Sequence, residues 1–346
     1  MQRNNIKDLT RTTACVAIAS LALWGTQAVA TDEITFVSWG GSTQDAQQEA
    51  WADSFTEQTG IRVNQEGPTD YGRIRAQVQS GNVDWDVVDV EGEFAMRAAR
   101  DGLLEELDFD VIDREEFDPR FITDHAAGSF YFSFVLGYNE NSLPNGGPEN
   151  WEDFFNVEDY PGQRGVYRWP SAGVLELALL ADGVAEDDLY PLDVDRAFDK
   201  LEEIEDHLFY WGSGSESQQA LASGEISMCM CWNGRVFTLL QEGAPVDYTW
   251  NENLAYADFL VVPKGSPNRE AAMEFIAHAT SAERQAEFAN LSAFAPVNVN
   301  AEQYLDADVR PHLPTDHPDE QVSMSIEYWA EHGPEIADRW NDFITN

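Results

Sequence analysis

Glu33-Ile34-Thr35-Phe36-Val37-Ser38-Trp39-Gly40-Gly41 decides how the rest of the chain is read. A β-branched and aromatic run reaches a Gly-Gly turn, then a polar helix-forming stretch over 43–59 that stops at Gly60. The pattern predicts a strand, a tight turn and a helix with Ser42 or Thr43 as N-cap. The alternation then repeats twice. Residues 61–65 read as a strand. Thr69 or Asp70 caps a helix with Tyr71, Ile74 and Val78 at helical spacing and Gly81 at its end. Residues 86–90 form a third apolar run, followed by a short helix over 93–100 stopped at Gly102. This β-α-β-α-β-α order implies a parallel sheet covered on both faces.

Outward from that unit, the aromatic run 130–138 reads as a strand leaving it, and the Asn-, Gly- and Pro-rich residues 139–150 as a crossing segment. A second α/β unit follows, with strands at 166–169, 209–211 and 226–232 and helices at 174–180, 195–207, 217–222 and 235–242. A strand at 256–262, helices at 269–280 and 282–290, and a tail of loop and helix from Ala301 complete the chain. A length of 346 residues suits two lobes of about 150 residues each.

Residues 1–30 read as a secretory signal peptide: Arg3, Lys7 and Arg11, an apolar run from Ala14 to Trp24, and a small-x-small site at Ala28-Val29-Ala30. The mature protein is expected to be periplasmic. The formal charge of −43 excludes duplex nucleic acid as a partner, because binding it needs basic residues to replace phosphate counterions. Only three lysines occur against 63 acids, a balance resembling proteins of salt-loving organisms, where screening tolerates self-repulsion. Cys229 and Cys231 lie two apart in an apolar strand, where side chains are poorly placed for an unstrained disulfide. They read as small buried residues.

No G-x-S-x-G elbow, H-E-x-x-H or P-loop occurs, and the six histidines are scattered, so nothing argues for an enzyme, a metal or a cofactor. His312 and His317 belong to a Pro-rich loop.

Several ordered segments resemble the spermidine/putrescine-binding family of periplasmic solute-binding proteins. They are the 34–41 strand and turn, the Phe55-to-Val63 helix-to-strand step, Trp85-Asp86-Val87-Val88, and Gly102-Leu103-Leu104. Trp232-Asn233-Gly234, Tyr256-x-Asp258 with Val262-Pro263-Lys264-Gly265, and Phe294 to Asn298 continue the match. The resemblance implies a type II-like two-lobe fold with hinge-crossing strands and a cleft between lobes. Lobe 1 would be 31–137 with 257–302, and lobe 2 138–256 with 303–346. It also implies a monomer that delivers a small amine or amino-acid ligand to an ABC permease, without chemistry.

Ligands of open parallel sheets sit beyond the carboxyl ends of strands. Trp39, Glu91 and Trp232 occupy such positions, with Tyr256 and Asp258 at a strand start. An alkylammonium group needs a carboxylate and aromatic faces. By resemblance Asp258 holds the amine, and Trp39, Trp232, Tyr256 and Phe294 form walls. Glu91 and Glu93 stand where typical polyamine binders have Ser and Tyr. The family's acidic second-lobe loop is here Trp169-Pro170-Ser171-Ala172-Gly173-Val174, with no acid. Arg168 and Arg235 lie near pocket positions, and an arginine fork suits a carboxylate. The leading expectation is a polyamine such as putrescine or spermidine. A zwitterionic ω-amino acid such as 4-aminobutyrate competes with it. From other classes, a secreted hydrolase and a chemoreceptor module are the alternatives.

Overall fold

The computed structural model describes residues 32–143 and 145–345; the expected leader, 1–30, and its cleavage site lie outside the described residues. Nine strands form one sheet among them: β1 (Glu33–Val37), β2 (Arg62–Glu66), β3 (Val87–Glu91), β4 (Ala126–Asn139), β5 (Arg164–Tyr167), β6 (Leu208–Trp211), β7 (Met228–Trp232), β8 (Val246–Val261) and β9 (Gln321–Ser323). The order is β2-β1-β3-β8-β4-β7-β5-β6, with β9 beside β8. β1 runs parallel to β2 and β3, and β5 parallel to β6 and β7. Each end of the sheet is therefore the α/β unit that the periodicity predicts. Between them run β4 and β8, antiparallel to each other; β8 also bonds β3, and β4 also bonds β7. Two long strands shared by both ends are the expected crossing strands.

Local chemistry explains most boundaries. Asp70 caps helix Tyr71–Ser80 by accepting from Arg73 N at 2.9 Å, and Gly81 ends it at φ 70°. The first helix departs from expectation. It starts at Gly41, has no side-chain N-cap, and is π-wound over Gln48–Asp53. Neither Ser42 nor Thr43 caps it; instead Gln44 Oε1 accepts from Gly40 N at 2.9 Å. β8 starts ten residues earlier than expected, at Val246. Its first half is largely polar and half-exposed, so no apolar alternation marks it; pairing with β4 makes it a strand.

The two cysteines overturn their reading. Cys229 and Cys231 are joined in a disulfide. Two residues of a regular strand span about 6.6 Å, whereas these Cα atoms lie 5.2 Å apart, within disulfide reach. No helix among the described residues is long and apolar enough to cross a membrane.

β5 depends on a buried cation. Arg164 donates to the carbonyls of Phe154 and Gly162 at 2.8 Å each, to Asn156 O, Tyr160 O and Ser227 Oγ. Burial lowers its guanidinium to about 10. Removing it orphans several buried carbonyls, at about 1–3 kcal/mol for each left unsatisfied. Arg164→Ala is expected to lower unfolding free energy by about 3 kcal/mol or more in urea titrations at high salt. A loss below about 1 kcal/mol would contradict this account of β5.

Candidate ligand-binding site

The carboxyl ends of the parallel strands converge. Trp39 follows β1, Glu91 ends β3, Tyr167 ends β5, Trp211 ends β6 and Trp232 ends β7. Asp258 lies inside β8, directly opposite Glu91 in register. A narrow chamber with only ≈ 10 Å³ of free space forms there, lined by Trp39, Thr43, Phe130, Phe132, Trp232, Asp258 and Phe294. Its walls are almost wholly aromatic. Phe294 stacks on Phe130 with centroids 4.8 Å apart. Trp232 meets Trp211 edge-on at 5.2 Å, Tyr167 at 5.4 Å and Phe132 at 6.3 Å, and Trp39 at 6.5 Å. On the other side of Trp39 a wider, open recess of ≈ 350 Å³ runs between the 39–41 turn and Ser213 and Ser215.

Asp258 is the only charged side chain in the chamber wall. It is 3% exposed, and its Oδ1 has no hydrogen-bond partner. Burial raises its carboxyl well above the usual range; the charges of Asp89 and Glu91 add to that, and the nearby Trp39 N–H opposes it without completing a hydrogen bond. Glu91 and Glu93 are also buried, but each carboxylate accepts from a tyrosine hydroxyl: Tyr71 at 3.1 Å and Tyr256 at 3.0 Å. Burial, then the Glu93 charge, pushes Glu91 up to about 8. Tyr256 therefore holds Glu93 instead of forming a chamber wall.

Arg235 stands in the first turn of helix Asn233–Gln241, just after β7. It is 1% exposed, and no carboxylate among the described residues lies within ion-pair distance of it. Its Nη2 donates to Gly40 O at 2.9 Å and its Nη1 to Ser42 Oγ at 3.0 Å, bridging from one end of the sheet to the other. Burial lowers its guanidinium to about 10. A Cβ on Gly41 would sit 2.8 Å from Arg235 Nη1 and 2.5 Å from Ser215 Oγ, which is why the turn needs glycine there. Arg235 Nε has no partner, nor do the buried indole nitrogens of Trp39, Trp211 and Trp232.

The sequence-expected residues thus separate. Trp39, Trp232, Asp258 and Phe294 meet at the chamber. Arg235 abuts it, its guanidinium 5.7 Å from the Trp232 ring. Glu91 and Glu93 stand behind Asp258. Arg168 does not join them: it is exposed, and its backbone is tied to Trp211 and Trp340. Sequence reasoning missed Asp89, Tyr71, Tyr167 and Trp211. The strand-end rule already used for Trp39 and Trp232 would have found Tyr167 and Trp211. Asp89 and Glu91 alternate in a strand otherwise made of valines, a signal that was present. No cluster of three or more His, Cys, Asp or Glu able to hold a metal occurs among the described residues.

Comparison with known proteins fixes the class. The model of the bacterial extracellular solute-binding protein family matches residues 50–315. The chain belongs to that family, whose members capture small ligands for ABC permeases and are not enzymes. It is 32% identical over 335 residues, covering 94% of this chain and 95% of the other, to the gamma-aminobutyric acid-binding protein of Pseudomonas aeruginosa. The solved GABA receptor Atu4243 is 49% identical over 91% of this chain and 98% of its own, with a TM-score of 0.84. The spermidine/putrescine-binding periplasmic protein of Escherichia coli is more distant, at 21% identity over 74% of this chain and 76% of its own. One contrast bears on conformation. MotA of A. tumefaciens B6 in complex with glucopine and AttC of Agrobacterium tumefaciens C58 in an open unliganded form are both 29% identical, over 90% of this chain and 99% of each; the TM-scores are 0.85 and 0.65. This chain superposes better on the former.

Glu91 gives a pH signature. Its folded value is raised above the unfolded one, so the proton it holds stabilises the fold below about pH 4.5, and that contribution is lost as pH rises through about 8. The ligand-free melting temperature of Glu91→Gln, relative to the parent, is therefore expected to be higher at pH 8.5 than at pH 5. An unchanged difference between the two pH values would contradict the burial of this charge.

Proposed function

We propose that this chain is a periplasmic binding component of an ABC importer for a small zwitterion of the 4-aminobutyrate type. The two lobes, 31–137 with 257–302 and 138–256 with 303–346, close on it. The observation that carries the reading is the set of buried orphans. On the acceptor side stands Asp258 Oδ1; on the donor side stand Arg235 Nε and the indole N–H groups of Trp39, Trp211 and Trp232. Buried polar atoms are normally satisfied, and each orphan costs about 1–3 kcal/mol. A ligand with an ammonium at one end and a carboxylate at the other completes both sets. Asp258 takes the ammonium between Trp39, Trp232 and Phe294; Arg235 and the indoles of Trp211 and Trp232 take the carboxylate.

The polyamine expectation fits less well. A diamine brings no acceptor for Arg235, and the second acid site is absent from the 169–174 loop. Relatives named for 4-aminobutyrate support the zwitterion, as does the far lower identity of the polyamine-binding relative. The Cys229–Cys231 bond suits an exported protein in an oxidising compartment. Closure shifts the population because bonds such as Arg235 to Gly40 and Ser42 cross from one lobe to the other and exist only when the lobes meet.

Two variants separate the ligand classes in calorimetric titrations. Asp258→Asn is expected to weaken every amine ligand by about 30-fold or more, the cost of losing one partner of a buried charge pair. Arg235→Gln is expected to do the same to 4-aminobutyrate while leaving any weak putrescine binding within about threefold. Unchanged 4-aminobutyrate affinity in Arg235→Gln would overturn the zwitterion reading.

A further inference from the structure

Direct ligand contact accounts for Asp258 but leaves a larger feature unexplained. Three more carboxyls are buried behind it: Asp89 and Glu91, alternating along β3, and Glu93 at the start of helix Gly92–Arg100. Each of the four is at most 5% exposed. The two glutamates are held alike. The Tyr71 hydroxyl donates to Glu91 Oε2 and accepts from Glu91 N, both at 3.1 Å. The Tyr256 hydroxyl donates to Glu93 Oε2 at 3.0 Å and accepts from Glu93 N at 3.2 Å. Each clamp fixes one oxygen of its carboxyl. Asp89 accepts from Gln47 at 2.7 Å and Ser38 at 3.2 Å, while its Oδ1 has no partner.

Helix Tyr71–Ser80 contributes Tyr71, β8 contributes Tyr256, and β5 contributes Tyr167, whose hydroxyl is pushed well up by burial and then by the charges of Glu91, Asp258 and Glu93. The turn after β1 contributes the Trp39 N–H, which is neutral. Arg97, from helix Gly92–Arg100, is the one cation acting on the glutamates among the described residues. Arg235 does not figure among the charges acting on any of the four. One guanidinium cannot neutralise four buried carboxylates, and buried like charges this close do not all ionise together.

We propose that the cluster of Asp89, Glu91, Glu93 and Asp258 stores protons in the ligand-free cleft and releases one to solvent when the ligand's ammonium arrives, so that the site exchanges a proton for a cation. The inference rests on the amine-bearing ligand proposed above. The balance is simple: a carboxyl O–H bond breaks, the proton goes to bulk buffer, and the carboxylate left behind pairs with the ammonium. Net charge in the cleft is unchanged on the cationic side, which removes the cost of burying a new charge there. The shifts agree. Burial pushes Asp89 up to about 7; burial, then Glu93, pushes Glu91 up to about 8; burial, then Asp89 and Glu91, raises Asp258. The cluster is coupled, so the released proton belongs to the group and not to one residue.

The sign follows. Below about pH 7 the cluster is protonated, and binding must expel a proton, so affinity rises by up to about tenfold per pH unit. Once pH passes the last of the cluster's titrations there is no proton left to expel, and affinity levels off. The test is calorimetric titration of the signal-free chain with 4-aminobutyrate and with putrescine at pH 6.5 and 9. Each is run in two buffers that differ in ionisation enthalpy and carry no primary amine, phosphate and Bis-Tris at pH 6.5, borate and CHES at pH 9. For whichever probe binds, the expected result is release of about half to one proton at pH 6.5, and clearly less at pH 9. In Glu91→Gln the release at pH 6.5 should drop by half or more, with the preference between the two probes retained. Buffer-independent heat at pH 6.5 with normal binding would overturn proton exchange. Undiminished release in Glu91→Gln would overturn the cluster and leave Asp258 acting alone. If neither probe binds the parent chain, the amine-ligand reading itself falls, and the exchange falls with it.

Discussion

Burying an ionisable group without an oppositely charged partner is among the costliest things a fold can do, and this one does it with an acid and a base at one place. Asp258 and Arg235 are both sequestered from water, and neither meets an opposite charge within the chain at bonding distance. The surface carries a large excess of acid, so Arg235 could have found a carboxylate almost anywhere outside. Its seat between Gly41 and Gly214, where a Cβ would come within 2.8 Å and 2.4 Å of it, keeps it from doing so. The sheet, the aromatic packing and the glycine turns hold these two groups in place, as the proposed zwitterionic ligand requires.

The architecture makes this possible because β4 and β8 belong to both ends of the sheet. Asp258 rides on β8 beside Glu91, while Arg235 follows β7, which hangs on β4. The two charges are thus carried by different ends of one continuous sheet, and the aromatic chamber is the seam. A polar seam would let water compensate each charge separately; an aromatic wall excludes it and makes electrostatic interactions stronger. Of the acids behind Asp258, Glu91 and Glu93 are each held by a tyrosine hydroxyl.

Much of the fold was legible because it rests on local rules. Asp70 and Gly81 bracket their helix as capping chemistry requires, and the valine-rich third strand needed no tertiary help to be recognised. What failed rested on partners distant in sequence. Val246 to Ala255 is polar and becomes strand only because β4 lies beside it. Ser42 could not be seen as a partner of Arg235 instead of a helix cap, since the two are 193 residues apart. The cysteine pair was misjudged because a regular strand was assumed where the backbone is shortened. At the site, Asp258, Trp39, Trp232 and Phe294 followed from strand ends and resemblance. Tyr256 was taken for a wall although its hydroxyl is bound to Glu93, a contact that no spacing in the sequence encodes. Arg168 and Arg235 were indistinguishable on the page; only the fold exposes one and buries the other.

The central claim is that one ligand satisfies a buried carboxylate and a buried guanidinium together. The most direct measurement is a calorimetric series with 4-aminobutyrate, butylamine, butyrate and putrescine on the same preparation at molar salt. The account predicts that 4-aminobutyrate binds at least about 100-fold tighter than butylamine or butyrate, because each of those leaves one buried charge uncompensated. Butylamine or putrescine binding as tightly as the amino acid would contradict it.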